Sequence, residues 1–112
     1  MDFAYKLPVE FELYKKAGDA IKEAMQTNSL TVGSLARRLK EDGIFQSYGT
    51  AKRFVIDVRN GYFNFIIGNK PDLRKTSLER IAYLFSSVGV APDNEIIGIF
   101  RGLNSDFIYP NV

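Results

Sequence analysis

Between Ser29 and Phe85 the chain carries three short stretches whose apolar residues recur at three- and four-residue spacing, each bounded by polar start and stop residues. They are Ser29-Leu-Thr-Val-Gly-Ser-Leu-Ala-Arg-Arg-Leu39, Lys52-Arg-Phe-Val-Ile-Asp-Val-Arg-Asn-Gly61 and Thr76-Ser-Leu-Glu-Arg-Ile-Ala-Tyr-Leu-Phe85. Apolar residues at that spacing line one side of a helix, so the centre of the chain is expected to be three short helices, each burying one face. Everything else has to be arranged around them.

The flanks continue the pattern. From Val9 to Gln26, Tyr14, Ala17, Ile21, Ala24 and Met25 form a stripe, and Gly18 costs that helix about 1 kcal/mol relative to Ala. In the first central helix Thr31 is placed to cap the start, Leu35, Ala36 and Leu39 face inward, and Asp42-Gly43 is a stop. Residues 44–49 are short, aromatic and turn-rich, and are expected to be loop. Thr50 is the expected cap of the next helix, which runs to Arg59 with Ala51, Val55 and Val58 inward and Tyr62 beyond them, and Asn60-Gly61 is its exit turn.

Residues 62–67 are β-prone and apolar, either a short strand or a loop covering the core. Thr76 and Glu79 are spaced for a capping box ahead of Leu78, Ile81, Ala82 and Phe85. Pro92 and Asp93 are expected to open a fifth helix with Ile96, Ile99, Phe100 and Leu103 inward. At the N-terminus Phe3, Tyr5 and Leu7 alternate ahead of Pro8, as an arm or a tucked tail. The expectation is one all-α domain over 1–112, with five helices, an arm at 1–8 and a tail at 104–112.

Composition removes several kinds of chemistry. With no histidine and no cysteine, the usual nitrogen and sulfur zinc sites and the histidine-assisted nucleophiles are excluded. The thirteen acids fall mainly on solvent faces among lysines, and no Gly-x-x-x-x-Gly-Lys-Ser/Thr loop is present, so neither an enzyme nor a cofactor is expected. No apolar run approaches the roughly 18–20 residues of a membrane span, and the first residues lack a signal-peptide pattern, so a cytoplasmic location is expected. A formal charge of +2 is only mildly basic, but its distribution is uneven. Positions 37–80 hold ten cations against five anions, leaving the rest of the chain net negative. A basic middle suits a phosphate backbone.

The order of the segments sharpens this. Thr31-Val-Gly-Ser-Leu-Ala-Arg-Arg-Leu39 resembles the second helix of lambda-repressor-like (Cro/Xre-type) helix-turn-helix domains, which read Thr-x-x-x-Leu-Ala-x-x-Leu. Val55-Ile-Asp-Val-Arg-Asn-Gly61 is similar to the end of that family's recognition helix, and Ser77–Val90 to its fourth helix. The resemblance covers residues 20–97 or so. Departures are the ten residues between Leu39 and Thr50, Arg59 where an acid is usual, and a long segment from Tyr62 to Lys75. Arg59 there exchanges an acid for a cation, which would favour DNA.

The resemblance implies a sequence-specific regulator that binds double-stranded DNA as a homodimer, with the third helix in the major groove. Lys52, Arg53 and Asp57 would face base edges, and Thr50 and Asn60 would bracket that helix at phosphates. Arg37, Arg38, Lys70, Arg74 and Lys75 would lie on adjacent elements, and no metal is implied. The fifth helix with Phe3, Tyr5, Phe107 and Tyr109 would be the dimer surface. Two other roles fit the residues: a helical protein-interaction module without DNA binding, and RNA binding, which the confinement of aromatics to apolar stripes disfavours.

Overall fold

The computed structural model describes residues 8–63, 71–103 and 107–109, with backbone alone at 8–11, 71–75 and 103. Five helices make up the architecture: α1 (Pro8–Thr27), α2 (Val32–Glu41), α3 (Tyr48–Arg59), α4 (Pro71–Val88) and α5 (Glu95–Leu103). Among the described residues there is no strand. The arm at 1–7 and most of the 62–67 run lie outside those residues. Of that run, Phe63 is fully buried and Tyr62 stands in solvent at 60% exposure, so Tyr62 does not extend the inward edge of α3.

α1 is the hub. It packs against α3, α4 and α5, whereas α2 packs mainly on α3 and touches α4. The expected stripe of Tyr14, Ala17, Ile21 and Met25 is buried, joined by Leu13. Gly18 has a role beyond its helix propensity. A Cβ there would sit 2.7 Å from the Arg59 carbonyl oxygen and 2.9 Å from the Gly61 nitrogen. Those are backbone atoms that cannot swing aside, so the bare glycine is what lets α1 approach the end of α3.

The helix ends are set by local hydrogen bonds. α2 opens with a reciprocal box: the Ser34 N–H donates to Thr31 Oγ1 at 3.0 Å, and the Thr31 N–H donates to Ser34 Oγ at 3.1 Å. It closes with the Ile44 N–H on the Leu39 carbonyl at 2.9 Å and the Gly43 N–H on the Lys40 carbonyl at 3.0 Å, with Gly43 at φ 77. α3 ends the same way, with the Tyr62 N–H on Asp57 O and Gly61 at φ 81. Both use the left-handed residue that ends many helices.

Three expected starts move. α3 is capped by Ser47, whose Oγ accepts the Thr50 N–H at 3.2 Å, so Tyr48 and Gly49 belong to the helix rather than to a loop. α4 begins at Pro71, so Thr76 lies inside it rather than at its N-cap. Proline serves there because the first helical N–H has no intrahelical partner anyway. α5 begins at Glu95, where the Asn94 Oδ1 accepts the Ile96 N–H at 2.8 Å, and Pro92-Asp93 form the turn before it.

The core divides into an aliphatic part and an aromatic part. Leu35, Ala36, Leu39, Ala51, Val55 and Val58 are fully or almost fully buried between α2 and α3. Behind α1, Tyr14 stacks on Phe63 with centroids 4.7 Å apart, and Phe100 lies 5.9 Å from Phe63, 5.8 Å from Phe85 and 5.2 Å from Phe107. Ile97, not Ile99, completes the buried stripe of α5; Ile99 is exposed.

The C-terminal aromatics also go inward. Phe107 and Tyr109 are 3% and 6% exposed, and the Tyr109 hydroxyl donates to the Val90 carbonyl while burial pushes its pKa up to about 12. They are therefore core rather than an open dimer surface.

Candidate nucleic-acid interface

α3 is a two-faced helix because its residues alternate character at helical spacing. Ala51, Phe54, Val55 and Val58 turn into the core; Thr50, Lys52, Arg53 and Asn60 are exposed, and Ile56, Asp57 and Arg59 are half-buried. The Ser47 hydroxyl both accepts the Thr50 amide proton and donates to Thr50 Oγ1 at 2.9 Å. That pins the first turn, and Lys52 and Arg53 project from the turn that follows it. Twelve residues make a rod of about 18 Å.

The connection from α2 is shorter than the sequence implies. Because α2 runs to Glu41 and α3 starts at Tyr48, six residues join them rather than ten. The Gly43 turn folds Ile44 back toward Leu39, and Phe45 is buried at 6% exposure with its ring 5.0 Å from that of Phe54. Tyr48 leans over the start of α2, its hydroxyl 3.2 Å from where a Gly33 Cβ would be.

The candidate cations do not all share one surface. Arg37 and Arg38 are exposed on α2, but the Arg38 Nε lies 4.0 Å from Asp42 Oδ2, the sole ion pair among the described residues. Asp42 also accepts the Tyr83 hydroxyl, tying the end of α2 to α4. That hydrogen bond and then burial hold the Tyr83 hydroxyl above the usual phenol range, with Arg38 acting the other way.

Arg59 is half-buried, and its Nε is enclosed without a hydrogen-bond partner, so it offers less to a ligand than its sequence position promises. Asn60 is the exposed C-cap of α3. Arg74 and Lys75 fall in the first turns of α4, where only the backbone is described, and Lys70 lies outside the described residues.

Thr50, Arg53 and Asp57 do come together. They form one wall of a 210 Å³ pocket between α3 and α4, floored by Phe45 and Phe54 and closed by Ser77 and Arg80. The Arg80 guanidinium carbon lies 4.3 Å above the Phe45 ring centroid. The charge count places Arg80 only in the basic middle of the chain, and the loop position of Phe45 gives no sign of its burial. The available signal for the earlier start of α3 was Ser47, a good capping residue three positions before Thr50.

No protein-family model matches the chain, and no curated protein or solved structure is significantly similar to it. The case for a function therefore rests on this surface. Among the described residues no group of acids is placed to hold a metal ion, and no helix is long and apolar enough to cross a membrane.

Proposed function

We propose that this chain is a sequence-specific double-stranded DNA-binding regulator of the lambda-repressor-like helix-turn-helix kind, with α3 as its reading helix. The observation that carries this is α3 itself. It is anchored by Ala51, Val55 and Val58, all fully buried, and presents Thr50, Lys52 and Arg53 outward from its first two turns, behind a capped start. Lys and Arg side chains on such a helix can bond guanine edges, and Asp57 can accept from cytosine, each good contact contributing ~1–3 kcal/mol of discrimination. The six-residue connection favours this geometry more than ten residues would, though three to four is usual for such a turn.

A single short helix offers few base contacts, so paired half-sites and a homodimer go with this proposal. The outer face of α5 is the proposed contact. Ile99 is exposed there, and Ile108 beyond it is 72% exposed. Glu95 and Arg101 lie three residues to either side of Gly98, so two antiparallel copies of α5 would bring opposite charges together.

The test is a selection of bound duplexes from a random pool, followed by affinity measurements from low to high salt on the selected site. Affinity should fall steeply with salt, with two chains per site. Lys52→Ala combined with Arg53→Ala should erase the preference for the selected site over random duplex. Absence of any duplex affinity at low salt would sink the proposal.

A further inference from the structure

We infer that the pocket between α3 and α4 is a phosphodiester site, with the Arg80 guanidinium as its binding arm beside Arg53 of the reading helix, so that α4 shares in DNA binding; this rests on the DNA-binding proposal above. At 210 Å³ the pocket is smaller than the roughly 300–1,000 Å³ of sites that enclose a whole small molecule. It suits one group of a larger ligand whose bulk lies outside. Its mouth is shared with the outward face of α3 through Thr50, Arg53 and Asp57, so a duplex lying along α3 passes over it.

The chemistry selects an anion. Arg80 rests its guanidinium on the face of Phe45 at 4.3 Å, an arrangement that satisfies the π face of the cation and leaves its N–H edge unspent. Among the described residues no carboxylate pairs with either Arg53 or Arg80. Asp57 also lines the pocket and opposes an anion, but two guanidiniums against one carboxylate leave the site positive. Planar guanidinium forks match the oxygens of a phosphate, and a ring-fixed fork loses less freedom on binding than a mobile lysine. Phe45, the buried residue in the α2–α3 connection, thereby becomes the platform that positions Arg80.

A phosphate contact fixes the register of the protein on the duplex and carries no sequence information. Arg80 is thus expected to act unlike Arg53. With the full chain, fluorescence anisotropy on a selected duplex and on an unrelated duplex would be recorded across salt concentrations for the native protein, Arg80→Ala and Arg80→Gln. Arg80→Gln keeps a polar stem over Phe45, and melting curves identify any variant that is merely unfolded.

Both variants should weaken binding to the two duplexes by a similar factor, roughly tenfold at low salt for each bound chain, and lower the slope of log affinity against log salt by about 1 per chain, about 2 for a site holding two. A folded Arg80→Gln protein with native affinity and slope overturns the inference while leaving α3 as the reader intact. Loss confined to the selected duplex also overturns it, because that would be base reading. If the native protein binds neither duplex at low salt, the DNA-binding proposal fails and the phosphodiester site falls with it.

Discussion

The α2–α3 half of the molecule and the half built on α1, α4, α5 and the tail solve the same burial problem with different materials. Between α2 and α3 the core is small and aliphatic, with alanine and valine packed to full burial. Behind α1 it is a run of rings from Tyr14 through Phe63, Phe100 and Phe107 to Tyr109. The small core draws α2 and α3 close and leaves their outer faces to polar and cationic side chains. The aromatic core fills the space between α1, α4 and α5 and absorbs the C-terminal Phe107 and Tyr109. The proposed base reading lies in the first half, with Arg80 of α4 as the one proposed contact from the second, and most of the apolar burial lies in the second, so the two should fail in different ways.

The largest expected loss is in the aromatic half. Phe100 meets four rings, those of Tyr14, Phe63, Phe85 and Phe107. Phe100→Ala should destabilise the fold by about 3–5 kcal/mol in denaturant unfolding. Any fraction that stays folded should bind DNA as the native chain does. A loss below about 1 kcal/mol would mean the ring stack is not the main support of this half.

Gly18→Ala tests the joint between the halves, and here helix propensity and packing disagree in sign. Propensity alone predicts a gain of about 1 kcal/mol from replacing a mid-helix glycine. The added Cβ would meet the Arg59 carbonyl at 2.7 Å and the Gly61 nitrogen at 2.9 Å, and overpacking of this kind costs about 1–3 kcal/mol. Backbone neighbours cannot rotate away, so a net loss is expected. A measured gain would show that α1 and α3 are free to separate without penalty.

How much was legible in the sequence follows the same division. α2 was readable from Thr31 to Gly43 because its cap and its stop are made by residues next to it in the chain. The stripes of α1 and α4 were readable from period alone. What was not readable depended on partners far along the chain. Gly18 looked like a local penalty because Arg59 and Gly61 are 41 and 43 residues away. Tyr109 looked like part of a dimer surface because its acceptor, Val90, lies 19 residues back. Phe45 looked like loop, where it does lie, but its burial could not be read because Arg80 and Phe54, which give it a place, sit on other elements. Of the candidate cations, Arg53 was named from the resemblance of its helix to a recognition helix, and it lines a shaped pocket. Arg80 was passed over because charge counting alone cannot tell a ring-held arginine from a solvated one.

The smallest effect expected is at the start of α3, and it decides which of two hydroxyls sets the helix. Ser47 and Thr50 are both good capping residues, three apart, and the sequence pattern favoured the second. In the structure Ser47 Oγ accepts the Thr50 N–H at 3.2 Å, while Thr50 Oγ1 only accepts the Ser47 hydroxyl. Ser47→Ala should therefore cost about 1 kcal/mol, and Thr50→Ala less than about 0.5 kcal/mol, in thermal or denaturant unfolding. Fraying from Ser47 would also unpin the turn that aims Lys52 and Arg53, so the same variant should weaken DNA binding more than its stability change alone explains. Should Thr50→Ala prove the more costly of the two, α3 starts a turn later, the connection lengthens toward ten residues, and the shortened joint that favours a DNA-competent geometry is lost.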